Sequence, residues 1–314
     1  MFTLIGWFTK SSFWRRVLFG WLIVLHPKMR FGIFKVVGWI AAQFRFELNR
    51  NMLASFQGVF PAQTPRANER LLARFWQQGF QTLYELLIEM QGSGIPWYKI
   101  RCDGLEHLEA TLRQGNGAII YSPHMGNFFW AYAYLSERYA CQTVVTASSK
   151  DLEPIYRSFG QRGYKGLDYD ELPPLQLFQT LRRHLKNNGV VFLLGDFYRA
   201  NFPQTELFGK PNCSPSGVVE LSARCQSPVL PMCIYRDDSG DHRLKIEKPL
   251  EFLAETPIQN RLQLCVSWME DEIRKHPEQW LYWFQLEQRW RENGQIDKVG
   301  ERSEWNVARH IQTT

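Results

Sequence analysis

The sequence predicts an α/β protein: a mixed, largely parallel central sheet flanked by helices, preceded by an N-terminal pair of amphipathic helices. Three observations predict it. Short continuous apolar runs, Gly117–Ser122 and Val190–Leu194, have the length and composition of strands covered on both faces. Segments with apolar residues three and four apart alternate with those runs, as helices do when they cover a sheet. The first 50 residues break this pattern with aromatic, cation-punctuated stretches.

The N-terminal stretch runs from Phe13 to Phe46. Its longest uncharged run, Val17 to Pro27, is shorter than the ~20 apolar residues a membrane-crossing helix needs. A second run, Val36 to Phe44, is shorter still, and Pro27 between them should end or kink a helix. No small-residue cleavage pattern follows, which argues against a secretory leader. Arg15, Arg16, Lys28, Arg30 and Lys35 alternate with Trp7, Trp14, Trp21 and Trp39. Snorkelling cations beside half-buried aromatics are the composition of helices lying in a membrane interface. The segment 1–60 is therefore expected to be a helical, monotopic membrane anchor; packing against the protein's own core and a single tilted span are the alternatives.

Residues 61–292 are expected to form one catalytic-sized domain and 293–314 a polar tail. From Asn68 to Met90, Leu71, Leu72, Phe75, Phe80, Leu83, Leu86 and Leu87 mark a helix that Gly92-Ser93-Gly94 ends. Helices follow at Leu105–Arg113 and Asn127–Arg138, then a strand at Gln142–Ala147 and helices at Leu152–Gln161 and Leu175–Lys186. After the Val190–Leu194 strand, Pro215–Cys225 reads as a helix, Val229–Tyr235 and His242–Ile246 as strands, and Pro257–Lys275 as a long helix. A Trp-rich segment, Gln279–Trp290, closes the ordered part.

Composition narrows the partners. Of 314 residues 45% are hydrophobic, enough for a sizeable core, which excludes wholesale disorder. With 12 Trp, 22 Phe and 12 Tyr, aromatics suited to lipid interfaces are abundant, and a net charge of +6 suits anionic lipid headgroups or an acidic carrier. Neither an RNA-binding signature nor a localised basic stripe outside the first segment is present, so nucleic acid is not an expected partner. Six cysteines lie scattered without a Cys-x-x-Cys pair, so no metal centre is expected and reduced thiols are the reading.

The chemistry concentrates in Ile119-Ile-Tyr-Ser-Pro-His124-Met-Gly126-Asn127-Phe-Phe129-Trp, where a buried strand ends and a histidine precedes a helix. Ligands of open α/β sheets gather beyond the carboxyl ends of strands. Histidine as a residue type can take a hydroxyl proton near neutral pH. Gly126 would let a substrate approach the backbone, and the N–H groups around Asn127 could meet an anion. A second strand end carries Asp196, in Val190-Val-Phe-Leu-Leu-Gly-Asp196-Phe-Tyr-Arg199. Downstream come Leu207-Phe208-Gly209-Lys210, Ser214-Pro-Ser216-Gly217, and Pro228-Val-Leu-Pro231. A Gly-x-Ser-x-Gly elbow is missing, which weighs against a serine hydrolase.

Taken together, from about Asn49 to Arg291, these blocks resemble the bacterial lipid A biosynthesis late acyltransferases (lauroyl/myristoyl transferases), a pattern shared by phosphatidylinositol mannoside acyltransferases. The resemblance also takes in Asn49–Pro61 and Pro277-Glu-Gln-Trp280 to Arg289-Trp290. It implies a glycerolipid-acyltransferase-like fold at the cytoplasmic face of a bacterial inner membrane. It also implies transfer of a fatty acyl group from an acyl carrier protein or acyl-CoA thioester to a hydroxyl of a lipid A-like or other glycolipid, within lipopolysaccharide or related lipid biosynthesis. That thioester would be a co-substrate, and no cofactor is implied. The family's signature is a histidine with Asp or Glu five positions later; His124 takes the base position, and the acid position is Phe129. Three readings follow: Asp196 orients His124 instead, His124 acts unassisted, or the chain is a weakly active or inactive lipid-binding relative. The first leads. Arg157 and Arg162, in a block resembling the family's second motif, are the expected phosphate-binding cations, with Arg199 behind them.

Overall fold

A computed structural model of the chain describes residues 20–90, 94–146, 153–164, 166–253 and 255–291. Trp7, Trp14, Arg15 and Arg16 of the expected anchor, and the expected tail 293–314, lie outside the described residues.

A 3-10 turn, Gly20–Val24, leads into α1 (Pro27–Gln43), α2 (Glu47–Val59) and α3 (Pro65–Tyr84). Pro27 opens α1 at its first turn, where a proline costs no hydrogen bond, instead of kinking a longer helix. Thr64 caps α3 by accepting from the Ala67 N–H. Helix α3 begins three residues earlier than its apolar spacing predicts, and ends in a π-helical turn, Glu85–Glu89.

The sheet is built from β1 (Ile100–Asp103), β2 (Ala118–Ser122), β3 (Cys141–Val145), β4 (Gly166–Asp168), β5 (Val190–Leu194), β8 (Val229–Arg236) and β9 (His242–Ile246). Helices α4 (Leu105–Leu112), α5 (Phe128–Ser136), α6 (Glu153–Gln161), α7 (Pro174–Lys186), α8 (Gly217–Cys225) and α9 (Ile258–Lys275) lie between or after them. A last helical stretch occupies 283–291. Strand order is β1-β9-β8-β2-β5-β3-β4, and every pairing is parallel except β8 with β9. This is the mixed, mostly parallel sheet between helices that the sequence predicts. A separate hairpin, β6 (Gln204–Leu207) with β7 (Lys210–Cys213), turns at Phe208-Gly209, both at positive φ as a tight two-residue hairpin requires.

Period-two alternation divides the core. Ile119, Tyr121, Val191 and Val229 face α2, α3, α7, α8, α9 and the terminal tryptophans, while Ala118, Ile120, Phe192 and Met232 face α5 and α6. Both faces are covered, which is why β2 is buried at all five positions. Helix α2 belongs to this core: Met52 and Phe56 are fully buried, and Phe56 meets Trp283 edge-to-face at 5.0 Å. The expected anchor segment is therefore partly structural. Its residues 21–46 instead expose Trp21, Val24, Met29, Val36, Trp39, Ile40, Phe44 and Phe46. Among the described residues, no helix is long and apolar enough to cross a membrane.

Candidate active site

The parallel pairing of β2 with β5 sets the central geometry. Ser122 lies opposite Leu194, so the residues two beyond each strand, His124 and Asp196, emerge side by side at the carboxyl edge. Strand β2 is also where the sheet order turns, since β3, β4 and β5 lie on one side of it and β8 and β9 on the other. Open α/β sheets bind their ligands at such a point.

His124 Nδ1 is 2.6 Å from Asp196 Oδ1. Oδ2 accepts the His124 backbone N–H at 2.8 Å and the Trp280 indole N–H at 2.7 Å. Burial alone would raise the Asp196 pKa, but the charge of His124 and the hydrogen bonds from His124 and Trp280 outweigh it and hold the carboxyl below its ordinary range. An ionised carboxylate only accepts hydrogen bonds, so Nδ1 must carry the ring proton. In the neutral ring that arrangement makes the opposite nitrogen, Nε2, the one able to accept a proton. The ring is 14% exposed, held between Phe128 and Tyr282 at centroid distances of 4.8 and 4.7 Å. Segment 279–281 fastens the turn from the other side: Gly126 N–H donates to Gln279 O and Leu281 N–H to His124 O, both at 2.9 Å.

Beside the imidazole opens a cavity of about 770 Å³, within the ~300–1,000 Å³ typical of ligand sites. Its wall is mostly apolar and aromatic, with Phe129, Tyr156, Phe159, Leu177, Leu181 and Phe192 among the lining residues. Phe129 stacks on Phe128 at 4.5 Å and packs against Phe159 at 5.2 Å. The position where the family carries an acid thus belongs to the apolar wall, and the carboxylate beside His124 comes from β5. Polar side chains line the same cavity on α3, where Gln78 and Thr82 are one turn apart on one face, and at Glu278.

Among the other expected binding residues, Asn127 and the three arginines fall elsewhere. Gly126 does line the cavity, but its glycine is demanded by the fold: φ is +55°, and a Cβ would collide with the Ile234 carbonyl. Asn127 is fully buried, capping α5 by accepting from Trp130 N–H at 3.2 Å and donating to Glu85 at 2.9 Å. The anion fork expected of Arg157 and Arg162 does not form at the cavity. Arg157 is exposed and paired with Glu153 one turn away, while Arg162 donates to Ser158 and to the Met90 carbonyl. Arg199 pairs with Asp170 at 2.8 Å. None of the three arginines is among the described lining residues. Among those residues there is also no group of three or more His, Cys, Asp or Glu able to hold a metal ion.

A buried ionic cluster behind the turn was not foreseen. Glu85 receives both terminal nitrogens of Arg236, Nη2 at 2.9 Å, and lies 3.1 Å from His242 Nε2. Burial opposes the charge on Glu85, but Arg236 and His242 hold its carboxyl well below the usual range. Burial in turn pushes the His242 pKa down, against the opposing pull of Glu85.

The site is thus a His–carboxylate pair at the end of a central strand, opening on a large apolar cavity. The model of the bacterial lipid A biosynthesis acyltransferases matches residues 8–292, and the chain belongs to that family. Similar curated proteins are the phosphatidylinositol mannoside acyltransferases of Mycobacterium tuberculosis H37Rv, 30% identical over 205 residues, and Mycolicibacterium smegmatis, 28% identical over 211. Those matches cover 61% of this chain and 61% of the first relative, and 63% and 66% for the second. A looser likeness, with a TM-score of 0.39 and 13% identity, is to the 1-acyl-sn-glycerophosphate acyltransferase of Thermotoga maritima, over 82% of this chain and 100% of that one.

Proposed function

We propose that the protein transfers a fatty acyl group from an acyl carrier protein or acyl-CoA thioester to a hydroxyl of a lipid A-like or other glycolipid acceptor. His124 serves as the general base and Asp196 orients it. The observation that carries this reading is the 2.6 Å contact between Nδ1 and Asp196, with the ring at the wall of the apolar cavity.

The chemistry follows from that geometry. The acceptor hydroxyl lies against Nε2, which takes its proton as the oxygen attacks the thioester carbonyl. The positive charge that forms on the imidazole is stabilised by the buried Asp196 carboxylate, which also fixes the tautomer. Collapse of the tetrahedral intermediate breaks the C–S bond, and the proton held on His124 passes to the departing sulfur. Ester and thiol are the products, and no redox partner or cofactor enters. The acyl chain lies along the aromatic wall, while the α3 side chains Gln78 and Thr82 face the polar part of the substrates. The names of the curated relatives support a glycolipid acceptor.

The exposed apolar side chains between Trp21 and Phe46 support a monotopic seat on the cytoplasmic face of a bacterial inner membrane, which would bring lipid acceptors to the cavity. Phe129 favours a second reading, a lipid-binding relative without turnover. The test is incubation of the purified protein with an acyl-carrier thioester and a hydroxyl-bearing glycolipid, followed by mass spectrometry. An acyl ester of the glycolipid is expected. Free fatty acid as the sole product would point to hydrolysis, and unchanged thioester to the second reading.

A further inference from the structure

We propose that Glu85 and Arg236 are positioning residues for His124, acting through Asn127 and Gln279; the inference rests on His124 being the reacting base. Asp196 holds His124 from one side, but the turn that follows needs a second support, because Gly126 and Asn127 lead straight into α5. That support is the ionic cluster. Glu85 Oε2 accepts from Asn127 Nδ2 and Arg236 Nη2, both at 2.9 Å. Oε1 takes Arg236 Nη1 and lies 3.1 Å from His242 Nε2. Three of the roughly four acceptor positions of the carboxylate thus take N–H groups, and the His242 ring nitrogen lies beside the fourth.

Arg236 carries the support onward. Its guanidinium Nε donates to Gln78 on the cavity wall at 3.0 Å. Its backbone exchanges two hydrogen bonds with the Gln279 side chain, at 2.7 and 2.8 Å, and the Gln279 carbonyl accepts the Gly126 N–H. Residues two and three beyond His124 are therefore both fixed to one buried unit. That unit links elements distant in sequence: α3's terminal turn, the end of β8, and the segment before Trp280.

Two features argue that geometry at the turn is its purpose. Buried ion pairs are costly to desolvate, and replacing one by apolar residues of similar volume is often neutral for stability, so packing alone does not require it. The carboxylate is also delivered by a π-helical turn, a backbone irregularity frequent at functional sites. The turn changes the facing of α3 at the point where Glu85 must reach Asn127.

The cleanest perturbation is Asn127→Ser, because serine caps a helix about as well as asparagine but cannot reach Glu85 as a donor. The second is the paired replacement Glu85→Met with Arg236→Met, which removes the charges together. Each variant is compared with wild type for thermal unfolding, for kcat and KM with an acyl-carrier thioester, and for the ¹⁵N-histidine NMR signal of the His124 Nδ1–H facing Asp196. In a folded variant, kcat is expected to fall about a hundredfold, the effect of displacing a reacting group by roughly 1 Å. The thioester KM is expected to stay within about twofold, and the Nδ1–H signal to shift or broaden. Folded variants with wild-type kcat and an unchanged signal would overturn the proposal. If the wild type turns over no thioester, the acyl-transfer reading falls, while the Nδ1–H signal still decides whether this cluster positions the ring.

Discussion

Replacing Asp196 by asparagine changes one atom and should remove nearly all activity, for a reason that can be followed bond by bond. The carboxylate takes three N–H groups: two converge on Oδ2, from His124 N and Trp280 Nε1, and one reaches Oδ1 from His124 Nδ1. Asparagine offers one oxygen and one NH₂. The oxygen is drawn to the position with two donors, so the NH₂ faces His124 Nδ1. A donor there requires an acceptor, and the ring proton moves to Nε2, the nitrogen that must be bare to take a hydroxyl proton. Holding a catalytic histidine in the wrong tautomer costs about 10⁴-fold in rate where it has been isolated, or about 5 kcal/mol of barrier. Stability should suffer less, by about 1–3 kcal/mol, the scale for spoiling a buried polar arrangement that keeps its shape. Single-turnover transfer from an acyl-carrier thioester, with thermal unfolding of the same preparation, separates the two effects. A folded Asp196→Asn enzyme within about tenfold of wild type would refute the reasoning.

Three more outcomes follow from the same geometry. Restoring the family's acid through Phe129→Glu should not rescue Asp196→Asn, because position 129 packs on Phe128, Phe159 and Tyr156 in the cavity wall; recovered transfer in the double variant would contradict this. Leu177→Trp, which fills part of the apolar cavity, should shift donor preference toward shorter acyl chains when thioesters of graded length compete. Acid should destabilise the fold through Asp196 and Glu85: both have folded pKa values below their unfolded ones, so the unfolded chain binds protons first as pH falls. Their contribution is fully present above about pH 4, the unfolded carboxylate range, and is lost as pH drops through the lower folded values. Denaturant unfolding between about pH 3 and 6 should show a shallower loss for Glu85→Gln than for wild type.

Much of the site was readable because it depends on local pattern. His124 and Asp196 each follow a five-residue apolar run, and two such runs in a parallel sheet put their next residues at one edge. What the sequence could not supply was the register, Ser122 against Leu194, that makes the two neighbours. Short elements escaped for want of periodicity: β1 and β4 have four and three residues, and the β6–β7 hairpin hides its turn at Phe208, a residue that rarely takes positive φ. The arginines misled because a cation near a motif has the same appearance whether it faces a ligand or its own helix. Arg157 meets Glu153 four residues away, a pairing visible in the sequence and the simpler reading. Glu85 and Arg236 lie 151 positions apart, and only the tertiary fold brings them together. Trp21, Trp39, Phe44 and Phe46 are exposed, whereas Phe34, Met52 and Phe56, in the same expected segment, were not legible as core.

The most direct test of the central claim is the rate of ester formation by His124→Ala, measured beside wild type with one acyl-carrier thioester and one hydroxyl-bearing glycolipid. Loss of a positioned base predicts a fall of at least about a hundredfold in kcat, with the variant folded and its thioester KM little changed. Ester formed at the wild-type rate by a folded His124→Ala protein would contradict the account.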